Sequence, residues 1–315
     1  MSSRRLYSRR GFLRSAGGAL LCIGSGGLVS GCATSKRDTK PLRFAFYTDV
    51  HARTEWDTPL AMARAADAIN AQRPDFVIAG GDLITDGFQS AAASVEARWD
   101  AYMKMHRAIS GDVFPTLGNH DLVAARPEDG TLAAKDPRAI YLDRMGLERS
   151  YYSFDAGGYR FFILDSIRVS DDEFKYHGHV SEQQLEWLRE ELSNIPSDTP
   201  LVVVLHIPLI TTFYSATRGA TFQAQPNRVV TNNTEVLNTF ANHNLVLVLQ
   251  GHLHVTERIW WRDTTFITGG AVCARWWRGP WHGTSEGFNI ITLRGNTVDW
   301  EYINYGWQAK RPSGR

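Results

Sequence analysis

Val113-Phe114-Pro115-Thr116-Leu117-Gly118-Asn119-His120-Asp121 is an apolar run that ends in a glycine and three polar side chains. The run reads as a buried strand, and Gly118 is expected to let the backbone turn sharply at its end. Asn119 can offer a carbonyl oxygen to a metal, His120 can carry a proton near neutral pH, and Asp121 can orient that histidine. Four other stretches share this form. Asp49-Val50-His51 follows Phe44 to Tyr47, Gly80-Gly81-Asp82 follows Phe76 to Ala79, His206 follows Leu201 to Leu205, and Gly251-His252-Leu253-His254 follows Leu245 to Leu249. Parallel strands buried on both faces show such continuous apolar runs rather than alternating ones. In open α/β sheets functional groups gather beyond the carboxyl ends of the strands. Five strand ends then deliver carboxylates, an amide and imidazoles to one rim. Asp49 with His51, and His252 with His254, are spaced i, i+2, so in extended backbone each pair points the same way and can converge on a metal.

The blocks Asp-x-His, Gly-Asp, Gly-Asn-His-Asp, a lone His and Gly-His-x-His, in this order from Asp49 to His254, resemble the calcineurin-like metallophosphoesterases. Within them, the motif set and length are similar to bacterial class III cyclic-nucleotide phosphodiesterases. The resemblance says little about the N-terminal segment or the chain after about Trp260. It implies an α/β fold, a four-layer α/β/β/α sandwich of two mixed sheets. It also implies a metal-dependent phosphoric ester hydrolase that cleaves a phosphomonoester or phosphodiester by attack of a hydroxide bridging two divalent ions. The family pattern assigns Asp49, His51, Asp82 and His254 to one ion, and Asp82, Asn119, His206 and His252 to the other. Asp82 suits the bridge because a carboxylate has two oxygens. Mixed nitrogen and oxygen ligands fit Mn, Fe or Zn better than Mg or Ca, and two such ions roughly 3.5–4 Å apart clamp a phosphate and acidify a shared water. His120 is left to hydrogen-bond the phosphoryl group or protonate the departing oxygen, with Asp121 or Asp86 as its orienting partner. The purple acid phosphatases of this superfamily carry a tyrosine three residues after the bridging aspartate. Thr85 stands there in this chain, so a tyrosinate-bound ferric ion is not expected.

Charge is unevenly placed along the chain. Its 34 Lys+Arg and 33 Asp+Glu nearly balance, but Arg4, Arg5, Arg9, Arg10 and Arg14 all precede Cys32 and no acidic residue does. The remaining body is mildly acidic, which disfavours a nucleic-acid duplex as partner. Ser8-Arg9-Arg10-Gly11-Phe12-Leu13 resembles a twin-arginine export signal, followed by the Gly-, Ala- and Leu-rich stretch Ala16 to Ser30 with the length of a signal h-region. Val29-Ser30-Gly31-Cys32 resembles a bacterial lipoprotein cleavage box, so Cys32 is expected to carry lipid and hold the protein to a membrane at the cell envelope, the export machinery being an earlier partner. Several acyl chains on one cysteine anchor firmly where one alone binds marginally. The expected organisation is a signal over 1–31, a tether over 32–41, a metallophosphoesterase domain over 42–305 and a tail over 306–315. Export argues against intracellular cyclic nucleotide as substrate. Envelope phosphates, extracellular nucleotides or phospholipid headgroups fit better. A non-catalytic lipoprotein that binds a phosphate ligand or a protein is the competing class, and the intact ligand set argues against it.

Helices are expected over Pro59 to Gln72 with Thr58 as N-cap, Ser90 to Ile109, Pro137 to Arg144, Ser181 to Leu192 with Gln184 completing a capping box, and Thr234 to Asn242. Asp155-Ala156-Gly157-Gly158 signals a hairpin. Leu122 to Arg149 reads as a partial cover over the site, and Ile207 to Asn233 as a long loop without period. His177-Gly178-His179 reads as a polar loop, His106 and His243 as surface residues, and Asp165 as a structural support. In Cys273 to Trp281, Arg275 and Arg278 could grip phosphate oxygens, and Trp276, Trp277 and Trp281 could stack on a base or cover an apolar chain. Arg275, Arg278 and Trp277 are the substrate-binding candidates. An equal alternative is that the tryptophans pack the sheet edge and the arginines are solvated.

Overall fold

A computed structural model describes residues 40–310. The expectations for the twin-arginine stretch, the h-region and Cys32 lie outside the described residues. Leu42–Tyr47 (β1), Val77–Ala79 (β2) and Val113–Pro115 (β3) run parallel, with Thr58–Ala71 (α1) and Ala92–Ala108 (α2) in the crossovers. Further on come Ala139–Met145 (α3), the antiparallel hairpin Tyr152–Ala156 (β4) and Tyr159–Ile163 (β5), and the small ribbon Ile167–Val169 (β6) with Tyr176–Gly178 (β7). Glu182–Ser193 (α4), Pro200–Val204 (β8), Phe213–Arg218 (α5), Asn233–Thr239 (α6), Asn244–Gln250 (β9), Glu257–Trp261 (β10) and Thr264–Thr268 (β11) follow, before Gly287–Arg294 (β12) and Thr297–Asn304 (β13). One mixed sheet has the order β13-β12-β1-β2-β3, the other β10-β11-β9-β8-β5-β4.

The continuous apolar runs have a direct cause. Alternate residues of each strand go to two different cores. Phe44, Phe46, Phe76 and Ile78 meet Phe161, Ile163, Val202, Val204, Leu247 and Leu249 between the sheets. The intervening Ala45, Tyr47, Val77 and Ala79, and Phe162, Val203 and Val248, belong to the core shared with the helices, which includes Ala61, Ala65, Ile69, Tyr102, Leu185, Leu188 and Val236. Both faces are therefore covered, which makes the four layers. The hairpin turn holds Gly157 at φ 57° and Gly158 at φ 86°, the two positive values that match the twist of the flanking strands.

Several local expectations are corrected. Asp57, not Thr58, precedes α1, and the Thr58 hydroxyl donates to Arg53 O at 3.0 Å. Ser181 does cap α4, but the Gln184 side chain turns inward to accept from Asp165 N at 2.9 Å and donate to Asp165 O at 2.8 Å. The stretch after His206 contains α5, and the His177 stretch is a strand of the β6–β7 ribbon, where His177 pairs with Asp172 at 2.6 Å and Arg168 at 3.1 Å rather than with a ligand set. His106 and His243 are half-buried. Asp165 is a support, held by Arg138 Nε at 2.6 Å and Ser150 Oγ at 2.7 Å.

Candidate metal centre

The strand ends β1, β2, β3, β8 and β9 place their following residues at one rim, and the backbone there is strained. Asp49, His51, Asp82, Asp86, His252 and His254 all have φ between 44° and 71°. Side chains larger than glycine are uncommon in this region, and each such residue costs roughly 1–3 kcal/mol unless its surroundings hold it. The extended geometry expected for the i, i+2 pairs is therefore not what aims them. Left-handed turns do, fixed by bonds between loops: Asp49 N–H to Gly81 O at 2.9 Å, His51 N–H to Asp82 O at 2.9 Å, and Cys273 N–H to Asp49 O at 3.3 Å. Gly118 is also corrected. Its φ of −104° and ψ of 168° are ordinary extended backbone. It must be glycine because a Cβ there would lie 2.0 Å from Asp82 N and 2.3 Å from Asp82 Oδ1.

Each carboxylate is held by one oxygen and left open at the other. Asp49 Oδ2 accepts from the Thr48 hydroxyl at 2.7 Å and from His252 N–H at 3.0 Å. Its Oδ1, buried and without a hydrogen bond, lies 3.1 Å from His254 Nε2 and 3.9 Å from both His51 Nε2 and His206 Nε2. Asp82 Oδ1 accepts from His120 N–H at 2.8 Å, and Oδ2 faces His206 Nε2 at 3.1 Å and His51 Nε2 at 3.5 Å. The imidazoles are oriented in the same way. A carbonyl oxygen can only accept, so His206 Nδ1 donates to Gly80 O at 2.8 Å, His254 Nδ1 to Ala274 O at 2.5 Å and His252 Nε2 to Asn227 O at 3.0 Å. Each ring keeps its other nitrogen free, which is how metal-binding histidines are commonly fixed. His51 Nε2 and His254 Nε2 face each other at 3.1 Å. Asn119 Oδ1 and His206 Nε2 are buried without hydrogen bonds.

These groups fit metal ions. Asp82, His206 and His252 bring ligand atoms within 4.8 Å of one another, and so do His51, His254 and Cys273. Without cations, protons supply the positive charge. Burial disfavours the His206 imidazolium, but Asp82 and Asp49 outweigh it and push His206 up to about 9. His254 is likewise raised, against burial, by Asp49. Burial and the His206 charge hold His252 down to about 3, and burial and His120 lower His51. Metal binding must displace the His206 proton. Metal uptake by stripped protein is therefore expected to release protons at pH 7 and to weaken as pH falls below about 9. The stabilisation of the metal-free fold by protonated His206 has the opposite sense: it is complete below the unfolded value near 6.5 and disappears as pH rises through about 9. Calorimetric titration with Zn in buffers of different ionisation enthalpy checks this, and an affinity that does not vary with pH counts against it.

The other expected site residues divide. His120 stands at the edge of the cluster, its ring 4.6 Å from that of His51. Asp86 N–H donates to His120 Nδ1 at 3.0 Å, so Nε2 carries the proton. The orienting group is the Asp86 backbone; its carboxylate is 4.0 Å away. Asp121 serves the loops instead. Its oxygens accept from Leu83 N–H at 2.7 Å, Ile84 N–H at 3.2 Å and Gly118 N–H at 2.8 Å. Burial and the Asp82 charge push Asp121 up to about 8. The Thr85 hydroxyl accepts from Arg53 at 3.2 Å.

Trp277 is fully buried and donates from Nε1 to His51 O at 3.0 Å, so it supports a candidate ligand and touches no substrate. Trp276, half-buried, lies against the cluster instead, its ring 4.5 Å from that of His254. Arg275 lies over Trp281 at 5.1 Å. A cavity of about 730 Å³ opens beside His252, walled by residues 213–228 and by 276–282, and neither Arg275 nor Arg278 lines it. None of its lining residues comes from 122–149. Tyr214, Asn227 and Arg228 were not singled out in the sequence, and the long aperiodic stretch after His206 was the available signal.

Residues 42–256 match the calcineurin-like phosphoesterases, and the chain belongs to that family. It is 25% identical to purple acid phosphatase 23 of Arabidopsis thaliana over 71% of this chain and 49% of that protein. It is 29% identical to a probable cyclic nucleotide phosphodiesterase of Rhodococcus erythropolis over 43% of this chain and 39% of that one. The chain thus spans less than half the length of these curated relatives. Among solved structures, a dimetal phosphatase from Danio rerio has a TM-score of 0.59 at 20% identity, covering 85% of this chain and all of that one. A purple acid phosphatase from yellow lupin (Lupinus luteus) seeds has a TM-score of 0.56 at 15% identity, covering 85% of this chain and 52% of that one. These last two likenesses are likenesses of fold.

Proposed function

We propose that Asp49, His51, Asp82 and His254 hold one divalent ion, that Asp82, Asn119, His206 and His252 hold a second, and that the centre hydrolyses a phosphomonoester or phosphodiester. The observation that carries this reading is the convergence of buried ligand atoms: Asn119 Oδ1 has no hydrogen bond, although leaving such an atom unmet costs about 1–3 kcal/mol, and Asp49 Oδ1 and His206 Nε2 face other candidate ligand atoms, His254 Nε2 and Asp82 Oδ2, each at 3.1 Å. Bound there, two ions such as Mn, Fe or Zn supply charge that polarises the phosphoryl group and acidifies water. The protein does the positioning. Asp82 spans both sets, and Thr48 with the His252 amide holds Asp49 in place. His120, with its proton on Nε2, hydrogen-bonds a phosphoryl oxygen or the departing oxygen. Trp276 covers one side of the ligand histidines, and Trp277 fixes the His51 backbone. Hydrolysis of bis(p-nitrophenyl) phosphate by protein reconstituted with each metal, against fully chelated protein, tests the reading. Turnover that survives complete chelation overturns it.

We also propose export by the twin-arginine route and lipid attachment at Cys32, supported by Ser8 to Leu13 and Val29 to Cys32. Cys32→Ser is expected to leave an uncleaved or soluble form. Unchanged processing and membrane fractionation in that variant rule the attachment out.

A further inference from the structure

We infer that the cavity beside the metal centre is a specificity subsite for a phosphate ester or anhydride carrying a planar polar ring and a second anionic group. It rests on the metallophosphoesterase reading, because the scissile phosphorus must lie at the ligand cluster. His252, Trp276, Phe213 and Tyr214 line it, within a volume of about 730 Å³. That is the size of an organic ligand site, far more than a bare phosphate fills. The wall starts at the cluster, since Trp276 lies 4.5 Å from His254, and continues through Trp281, 6.2 Å from Trp276. Phe213 and Trp281 both pack on His282, at 5.0 and 4.5 Å. Flat aromatic faces of this kind stack on planar rings. Thr217 and Gln225 also line the cavity, which suits a ring with hydrogen-bonding edges rather than an acyl chain.

The charges supply the second half. Arg228, half-buried, and Arg218 line the cavity, and no Asp or Glu does. Arg53, Arg138, Arg144 and Arg160 are also half-buried, and each pairs with a carboxylate. Arg228, like the half-buried Arg43, Arg98 and Arg278, has no such partner among the described residues, but of these four it is the one that lines the cavity. It directly follows Asn227, whose carbonyl accepts from His252 Nε2 at 3.0 Å, and it lines the cavity together with His252 and Tyr214. An arginine left free at that point matches a second phosphate or another anion next to the scissile one. In the reaction, water adds to phosphorus, the bond to the leaving oxygen breaks, and that oxygen takes a proton.

The experiment uses the full chain with metal restored and bis(p-nitrophenyl) phosphate as reporter. Competitive inhibition constants are measured for adenosine diphosphate, which has ring and second phosphate, adenosine monophosphate, which has the ring alone, methyl diphosphate, which has the second phosphate alone, and methyl phosphate, which has neither. Adenosine diphosphate is expected to bind tightest. Arg228→Gln is expected to weaken both diphosphates by roughly 10–150-fold, the range for a lost charge-assisted hydrogen bond, and to leave the two monophosphates within about twofold. Trp281→Ala, with Tyr214→Ser as a second probe of the wall, is expected to weaken both adenosine ligands by roughly 5–150-fold and spare both methyl ligands. Four equal constants in the parent protein, or variants that weaken all four alike, overturn the subsite while the reporter reaction stands. If neither this diester nor the monoester p-nitrophenyl phosphate is hydrolysed with any metal, the metallophosphoesterase reading falls and the subsite with it.

Discussion

Asp82→Ala is expected to abolish hydrolysis and to release most of the bound metal. Asp82 is 2% exposed and reaches both ligand sets: His206 Nε2 at 3.1 Å on one side and His51 Nε2 at 3.5 Å on the other. Removing it deletes a ligand from each proposed ion and takes away the negative charge that would offset the repulsion between the two cations. Losing only a residue that orients a ligand typically costs ~10–100-fold in metal affinity or activity, so loss of the shared ligand is expected to exceed that. Asp82 also has φ 52° and accepts the His120 amide. Alanine is strained at that φ, whereas asparagine tolerates it. Asp82→Asn therefore separates backbone strain from lost charge, and it too is expected to lose metal and turnover. Elemental analysis with the chromogenic assay measures both. Two equivalents of metal and near-normal turnover in either variant would refute the bridging role.

His120→Ala is expected to keep both metals and to slow turnover by ~10²–10⁴-fold, the range for a lost acid–base or hydrogen-bonding group. The ring is the most open of the site histidines whose exposure bears on the cluster, at 23% against 0–2% for His51, His206 and His254. Its Nδ1 is taken up by Asp86 N–H, which leaves Nε2–H for substrate. His120→Asn keeps an acceptor near that amide, so a loosened loop can be told apart from lost chemistry. The asparagine variant is expected to stay slow with full metal content. Loss of one metal equivalent from the alanine variant would instead make His120 a ligand, a role its nearness to His51 and Asp82 makes testable.

Most of the architecture was legible because strands buried on both faces must be apolar throughout. The runs before Asp49, Asp82, His206 and His252 have that form; the run before Asn119, expected to be buried, is the edge strand β3, where Val113 and Phe114 are only half-buried. Each of the five leads into a rim residue. The first strand was placed over Leu42 to Tyr47, where β1 lies. Irregular stretches were less legible. The β6–β7 ribbon has three residues per strand, too few for a period to show, and α5 has six. Gln184 matched a capping box in sequence, but its buried amide was drawn to both backbone groups of Asp165, a competition that only the packed helix reveals.

The sequence by itself determined which residue types arrive at the rim, in what order, and on which strands, because apolar continuity and strand-end position are local properties of the chain. The tertiary structure alone decided how those residues are aimed. The left-handed backbone at Asp49, His51, Asp82, His252 and His254 is held by partners remote in sequence, as when the His252 amide meets Asp49 or Trp277 meets His51 O. It also decided that Trp276 faces the site while Trp277 turns into the core, and that Arg228 rather than Arg275 or Arg278 lines the cavity. Neighbours in a strained loop point in opposite directions, and which way each points is set by contacts between segments some 200 residues apart, as with the 203 that separate Asp49 from His252 and the 226 between His51 and Trp277.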